Sequence, residues 1–206
     1  MYKDPGPRDR INSFALVGYI PEPLAGFLDR LRRELVPNCF LRAHVTILPP
    51  RPLVTSSEEA WATIRRLIPR FQPFEVQLTQ VEIFPKSEVI YLSVGTGSDA
   101  LKGMHEALDI DGLRFQEMFQ YHPHITLAQE LQAGAAKDLL PLARARWAEF
   151  PFSRSFRVEK AVFVQNTDCN EWLDLGECTL GQWDSKLVGD LEALAERSPT
   201  NRERFT

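Results

Sequence analysis

The sequence is poor in residues and segments that several large classes of protein require. Its three cysteines, Cys39, Cys169 and Cys178, are an odd number without a C-x-x-C spacing, which excludes a four-cysteine zinc site and fits reduced thiols. No apolar run approaches the ~20 residues of a membrane-spanning helix, and the polar start MYKDPGPRDR has no apolar segment of a secretory signal. We therefore expect a cytoplasmic protein that does not contact membranes.

Positive charge is also in short supply. The 206 residues carry 24 Lys and Arg against 28 Asp and Glu, a formal net charge of −4. A broad basic surface for duplex nucleic acid is therefore not expected, and any phosphate site must be local. The hydrophobic share of 44% and the charged share of 25% are those of an ordinary globular protein, long enough to bury a core without disulfides.

The sequence does contain a repeated order of predicted elements: strand, helix, strand, helix and strand occur in this order in each half. Apolar runs with a period of two predict strands, and apolar residues at helical spacing predict helices between them. The first half predicts strand 14–20, helix 24–35, strand 42–48 stopped by prolines, a helix with a Ser56/Glu59 capping box, and strand 74–84. The second half predicts strand 89–94, a helix capped by Asp99, strand 122–128, helix 133–147, strands 156–165 and 172–180, and helix 184–197.

Because no Pro/Gly/Ser-rich linker separates these halves, we predict a single α+β domain over residues 1–206. It consists of two similar lobes, 12–84 and 88–182, packed against each other. A flexible start, 1–10, and a C-terminal helix and tail, 184–206, flank them.

Histidine is scarce, yet two of the four histidines fall into one repeated pattern: His44-Val45-Thr46-Ile47 and His124-Ile125-Thr126-Leu127. Since strand side chains alternate, the histidine and threonine of each motif share one face. A single H-x-T is ordinary on any half-buried strand, but two copies in equivalent strands of both halves are not expected by chance. If the lobes face each other, two imidazoles and two hydroxyls converge.

Such a set suits phosphodiester chemistry. Cleaving a phosphodiester with water needs a base for the attacking water and an acid for the leaving oxygen. An ordinary imidazole pKa of about 6.5 lets one histidine be neutral and the other protonated near neutral pH, and threonine hydroxyls can donate to phosphate oxygens. No metal or other cofactor is required, and the pseudo-symmetric sequence leaves open which histidine is the base.

These motifs resemble those of the 2H phosphoesterases, which include the bacterial 2′-5′ RNA ligase-like proteins and cyclic nucleotide phosphodiesterases. The resemblance covers about residues 12–182, and Pro-His-Ile-Thr-Leu at 123–127 is especially similar to the second family motif. It implies two pseudo-symmetric lobes, each a mainly antiparallel sheet with outer helices, flanking a central cleft. It further implies metal-independent opening of 2′,3′-cyclic phosphates, or hydrolysis or joining of 2′-5′ linkages. By motif position His44 and His124 are catalytic, and Thr46 and Thr126 bind phosphate.

The residues around the motifs supply further candidates. Arg42, two before His44, is expected on the same strand face and could bind phosphate or simply be solvated. His122 is interpreted as a rim histidine and His105 as a packing histidine of a helix. After the motifs come Arg51 on one side and Gln129 and Glu130 on the other, where many relatives keep a basic or additional polar residue.

Three other patterns have simpler interpretations. The aromatic residues could stack on bases but are more often core: Tyr19, Phe84, Tyr91 and Phe119. The segment from Gly95 to Ala100 predicts a turn and helix cap rather than a dinucleotide site, because the rest of that motif is missing. Arginines 30, 32 and 33 alternate with acidic residues and predict a solvated helix face.

The sequence thus favours an enzyme for a small phosphodiester or an RNA terminus, which we expect to be a monomer. Two alternatives stay open. The same motif pair could bind an RNA end or nucleotide without turnover, or the paired imidazoles could hold zinc. The zinc hypothesis is weaker, because no Asp, Glu or Cys stands at ligand spacing beside either motif.

Overall fold

A computed structural model describes residues 9–110 and 112–182 of the chain. The start 1–8 and the predicted helix and tail 184–206 lie outside the described residues. The strands are β1 (Arg10–Tyr19), β2 (His44–Arg51), β3 (Phe74–Ile83), β4 (Ile90–Val94), β5 (His124–Ala128), β6 (Ser155–Val158), β7 (Lys160–Thr167) and β8 (Trp172–Thr179). The helices are α1 (Leu24–Leu35), α2 (Ser57–Leu67), α3 (Ser98–Ala107) and α4 (Ala135–Ala148), with a 3-10 turn at Ile68–Arg70. Among the described residues no helix has the length and apolar character needed to cross a bilayer.

The strands form two four-stranded antiparallel sheets, which confirms the α+β class. The first sheet has the order β2-β1-β7-β8 and the second the order β5-β4-β3-β6. Both H-x-T strands, β2 and β5, are edge strands of their sheets. This placement allows the two motifs to approach each other from different sheets.

The chain does not divide between the sheets at residues 84–88, as the predicted lobes 12–84 and 88–182 would require. Strand β3 pairs with β4 and β6 in the second sheet, whereas β7 and β8 complete the first. The predicted strand 156–165 is two strands, because the chain crosses between sheets at Glu159: Val158 pairs with Phe74, and Lys160 pairs with Thr179. Local periodicity shows which residues are extended, but it does not show which strands pair.

One large core joins the two sheets. It contains Leu16 and Ile47 of the first sheet, Val76 and Leu92 of the second, and residues of all the described helices, for example Leu28, Ile64, Leu101 and Ala143. The opposite face of the first sheet carries a smaller cluster of Ala15, Val17, Val162 and Val164, covered by Tyr19 and Trp172. Strand β1 therefore has its alternate residues in two separate apolar clusters, as a central strand should.

The starts of two helices test the N-caps predicted from the sequence. The capping box is confirmed: the Ser56 side chain accepts from the Glu59 N–H, and the Glu59 side chain accepts from the Ser56 N–H. The predicted Asp99 cap is wrong, because α3 begins at Ser98 with Gly97 as its N-cap. Gly97 has φ of +88°, and a Cβ there would lie 2.4 Å from the Glu75 carbonyl oxygen, so the turn requires glycine.

Proline also behaves differently from the prediction. Strand β2 continues through Pro49 and Pro50 to Arg51 instead of stopping before them. An edge strand tolerates proline, since one side of its backbone needs no ladder hydrogen bond. Pro141 lies in the middle of α4, whose bounds, Ala135–Ala148, differ by one or two residues from the predicted 133–147.

Candidate functional site

The two H-x-T motifs lie on neighbouring strands. His44 opens β2 and His124 opens β5, and these edge strands contact each other across the two sheets. Along both strands the histidine and threonine are half-buried, and the apolar residue after each of them is buried. The predicted alternation is confirmed, and the structure brings the motifs together. We call His44, Thr46, His124 and Thr126 the motif site.

The two imidazoles are held in the same way. Nδ1 of His44 lies 2.7 Å from the carbonyl oxygen of Arg42, and Nδ1 of His124 lies 2.6 Å from that of His122. A carbonyl oxygen only accepts, so each Nδ1 carries the hydrogen. In the neutral rings Nε2 therefore bears the lone pair, and that nitrogen is available to a substrate.

The surroundings of both rings disfavour their protonated forms. Burial, followed by the positive charges of Arg32 and His124, lowers the pKa of His44 to about 4, against the opposing hydrogen bond to Arg42. Burial also lowers the pKa of His124, with a smaller contribution from His122. Without a bound anion both rings are neutral at pH 7, and a bound phosphate would favour protonation.

Arg32 is a residue of this site that the sequence interpretation missed. It was predicted to lie on a solvated helix face, but it is only 3% exposed. Its Nη1 donates to the carbonyl oxygens of Leu41 and Arg42 at 3.2 and 3.3 Å, so it lies directly behind the carbonyl that holds His44. Its spacing from Leu28, four residues earlier, puts it on the apolar stripe of α1, which is the sequence signal that could have revealed it.

Arg42 does not extend β2, contrary to the prediction, because the strand begins at His44. Its guanidinium carbon lies 3.6 Å from the ring centre of Tyr19, which is the register partner of His44. Nη1 of Arg42 also lies 3.4 Å from Oδ2 of Asp174, whose Oδ1 accepts the Tyr19 hydroxyl at 2.5 Å. Burial and the Asp174 carboxylate raise the pKa of Tyr19.

The second motif has an aromatic wall. Phe84 stacks on Tyr91 with ring centres 3.8 Å apart, and both rings meet His124 edge to face at 5.0 and 5.5 Å. The Tyr91 hydroxyl donates to Glu82, and burial with that contact raises the pKa of Tyr91 to about 12. Tyr91 is buried, so it acts as support for His124 more than as a free stacking surface. His122 is exposed at the edge of this wall, as predicted for a rim histidine.

A cavity of about 460 Å³ lies beside the motif strands and is lined by other residues. His105 and Tyr121 stack in it with ring centres 4.0 Å apart. Nδ1 of His105 lies 2.9 Å from the Ile47 carbonyl oxygen, and the Tyr121 hydroxyl donates to the Thr46 carbonyl at 2.6 Å. His105 is thus a packing histidine, as predicted, but one that contacts the first motif strand.

Arg51, the basic residue after the first motif, uses its guanidinium for contacts within the protein and is not available to bind phosphate. Its side chain is 3% exposed and its Nη2 donates to Glu117 at 2.5 Å. Its other donors reach the carbonyl oxygens of Pro49 and Leu113. Phe119 lines the same cavity and is 53% exposed, away from the main core.

A protein metal site needs several ligating side chains close together. Within residues 9–110 and 112–182, no group of three or more His, Cys, Asp or Glu side chains is placed to hold a metal ion. Cys39 and Cys178 are free thiols.

Comparisons with known proteins agree with the fold. Residues 20–168 match the family model described as the 2′-5′ RNA ligase superfamily. The structure of E. coli LigT complexed with phosphate has a TM-score of 0.59 at 16% identity, covering 84% of this chain and all of that one. The protein TT0787 of Thermus thermophilus has a TM-score of 0.56 at 16% identity, with the same 84% and 100% coverage. No curated protein sequence matches. At such identities the structural likeness shows the fold alone.

Proposed function

Because the chain belongs to the 2′-5′ RNA ligase superfamily of 2H phosphoesterases, we propose that it cleaves 2′,3′-cyclic phosphates or 2′-5′ linked nucleotides and RNA ends by metal-independent acid–base catalysis. His44 and His124 are the acid–base pair, and Thr46 and Thr126 bind the phosphate. The observation that carries the proposal is the matched anchoring of two imidazoles, each with Nδ1–H on a main-chain carbonyl two residues earlier.

The reaction follows from that geometry. One neutral Nε2 removes a proton from water while the water oxygen forms a bond to phosphorus. The bond from phosphorus to the leaving ribose oxygen breaks, and the protonated Nε2 of the other histidine donates a proton to that oxygen. The threonine hydroxyls donate to the non-bridging oxygens, where charge accumulates in the transition state. One proton has then moved from water to the leaving oxygen, and the enzyme is restored by exchange with solvent.

The position of Arg32 favours His44 as the base. A base must be neutral when the substrate arrives, and His44 has a buried guanidinium behind its anchoring carbonyl. The contacts of the His122 carbonyl include no such cation in the described part of the chain. His124 is then the acid, and the negative charge of bound phosphate supports its protonation.

A small nucleotide is the substrate class that the relatives support. Structures of E. coli LigT have been determined with phosphate, 3′-AMP, NADP+ and ATP. A site that admits such ligands in the same fold is compatible with a nucleoside cyclic phosphate or the last nucleotide of an RNA. The net charge of −4 also favours a confined phosphate site over a broad nucleic-acid surface.

The test is a substrate panel assayed in the presence of chelator. Nucleoside 2′,3′-cyclic phosphates and 2′-5′ dinucleotides are offered to the wild type, His44→Ala, His124→Ala and the double variant. Each single change should lower kcat/KM by about 10²–10⁴, and the double variant should lose little more, because the two groups act as a unit. His122→Ala, which removes an exposed imidazole and leaves its carbonyl, is the matched control and should stay within a few-fold of wild type.

Product analysis completes this experiment. A 2′-phosphate product and a 3′-phosphate product distinguish which ribose oxygen leaves. Supplying an RNA with a free 5′-hydroxyl together with an RNA that ends in a 2′,3′-cyclic phosphate tests joining. The base then removes the proton of the 5′-hydroxyl while its oxygen bonds to phosphorus, the bond from phosphorus to the 3′-oxygen breaks, and the acid protonates that oxygen, which leaves a 2′-5′ linkage. Saturable nucleotide binding without any product would overturn the enzymatic proposal in favour of a binding module.

A further inference from the structure

Beside His44, three layers are built on the first sheet. The lowest is the apolar cluster of Val17 and Val162 with its neighbours, and the ring of Tyr19 covers it. The guanidinium of Arg42 lies on the Tyr19 ring at 3.6 Å. The Arg42 side chain is 64% exposed, so the top of this stack is open to solvent.

The charge of Arg42 is already compensated. Its Nη1 faces Oδ2 of Asp174 at 3.4 Å, and the other oxygen of Asp174 holds the Tyr19 hydroxyl. A carboxylate this close offsets part of the attraction that a free guanidinium would have for a phosphate. The Asp174 carboxylate also holds one edge of the Arg42 guanidinium, so that the guanidinium stays on the Tyr19 ring. The arrangement is better suited to a flat surface than to an anion clamp.

We propose that the outer face of the Arg42 guanidinium, supported by Tyr19 and held by Asp174, is the surface on which the base of the substrate nucleotide stacks. The proposal rests on the function proposed above and names the part of the nucleotide that this surface recognises. Guanidinium planes stack on aromatic rings, and nucleobases are bound in this way by proteins that read unpaired nucleotides.

The location fits a nucleotide bound at the motif site. The main-chain carbonyl of Arg42 is the acceptor for His44 Nδ1, and Tyr19 is the register partner of His44. The stack therefore lies directly beside the imidazole proposed to act on the phosphorus. Since one sugar separates the phosphate of a nucleotide from its base, a phosphate bound beside His44 would leave the base within reach of this stack.

The experiment varies Arg42 and the base together. Arg42→Lys keeps the charge and loses the plane, and it is assayed on adenosine 2′,3′-cyclic phosphate and on the base-free methyl riboside 2,3-cyclic phosphate. We expect kcat/KM to fall about 10- to 100-fold on the adenosine substrate, mainly through KM, with no change on the base-free one. Arg157→Lys, the same change at an exposed arginine of β6, is the matched control and should behave like wild type. Tyr19→Ala, which removes the supporting ring, should resemble Arg42→Lys.

Other results would overturn the proposal. An equal loss on both substrates would assign Arg42 to the phosphate, and no loss on either would leave it without a role. Because Arg42 is exposed, circular dichroism is expected to show an unchanged fold in its variants.

Binding separates this proposal from the catalytic one. The dissociation constants of 2′-AMP and ribose 2-phosphate are measured by calorimetry for the wild type and Arg42→Lys. A weaker Kd for 2′-AMP alone supports the stacking surface even if no substrate is turned over, in which case only the catalytic proposal fails. Equal Kd changes for both ligands contradict the stacking surface.

Discussion

The hydroxyl of Tyr121 donates to the main-chain carbonyl of Thr46 at 2.6 Å. Tyr121 precedes the second H-x-T strand, and Thr46 belongs to the first, so this hydrogen bond joins the two halves of the motif site. The Tyr121 ring is fixed by stacking on His105, which itself contacts the neighbouring Ile47 carbonyl. The side chains of His105 and Tyr121 thus contact two consecutive main-chain carbonyls of β2.

Tyr121→Phe should loosen this connection. Loss of one largely buried hydrogen bond is expected to lower the free energy of unfolding by about 0.5–1.5 kcal/mol, and kcat should fall more than KM changes, because the motifs lose their relative position. Urea unfolding and steady-state kinetics measure the two effects. Tyr91→Phe is the matched control: its hydroxyl binds Glu82 within the second sheet, so it should affect stability without the same loss of kcat. Equal kcat in Tyr121→Phe and wild type would contradict this role.

Arg32 is predicted to contribute, after burial, to the low pKa of His44. Replacing this buried cation by methionine, Arg32→Met, should raise the His44 pKa above about 4, because a nearby positive charge disfavours the imidazolium, while burial keeps that pKa below the ordinary ~6.5. NMR titration of the histidine rings measures that pKa, and the acidic limb of the kcat/KM profile should move to higher pH.

The matched control for this change is Arg33→Met, the exposed neighbour in α1. It removes the same charge from the same helix at a solvated position and should leave the His44 titration in place. A similar shift in both variants would show a general effect of net charge. If Arg32→Met does not fold, Arg32→Lys keeps the charge and should keep the low pKa.

The low pKa of His44 also predicts a pH dependence of stability. In the unfolded chain the ring takes up a proton near pH ~6.5, whereas in the folded protein it does so only near pH 4. Stability from this residue is therefore full above about pH 6.5 and is lost progressively as the pH falls to about 4, by roughly 2–3 kcal/mol. Urea unfolding between pH 4 and 7 measures it. His44→Gln should flatten the curve relative to wild type, and parallel curves would contradict the shift.

Arg51 and Glu117 should be important for folding. Arg51 is almost fully buried, and Arg51→Met leaves Glu117 facing His105 Nε2 at 3.4 Å and the Leu113 carbonyl without its donor. Because Glu117 is partly exposed, the loss should be smaller than for a fully buried pair, and we expect the free energy of unfolding to fall by about 1.5–3 kcal/mol, as for a hydrogen bond to a charged group. Arg157→Met is the control, since its exposed contact with Glu75 at 3.8 Å should contribute less than about 1 kcal/mol. Similar losses in the two variants would mean that the Arg51 pair is not the stabilising contact.

The motif site was predictable because its information is local. Alternation along a strand puts His44 and Thr46 on one face whatever the strand pairs with, and the second copy in β5 follows the same rule. The same holds for the Ser56 capping box, which spans three residues.

The rest of the site depends on contacts between distant parts of the chain. Asp174 meets Arg42 across 132 positions of sequence, and only the pairing of β7 with both β1 and β8 brings it there. Arg32 was predicted to be solvated from its charge alone, although its position on the apolar stripe of α1 indicates burial. Local sequence also does not show that β3 belongs to the second sheet while β7 and β8 belong to the first, since all of these strands alternate in the same way.

The late position of β7 in the sequence affects how the first sheet can form while the chain is being synthesised. Strand β1 lies between β2 and β7, so the first sheet is missing an inner strand until residues 160–167 have left the ribosome. Both H-x-T motifs are synthesised before β6 and β7, so at the time they are made neither lies in a complete sheet. A fragment ending at residue 128 would contain the whole motif site in sequence and would leave the β7 side of β1 unpaired, exposed to pairing with other chains.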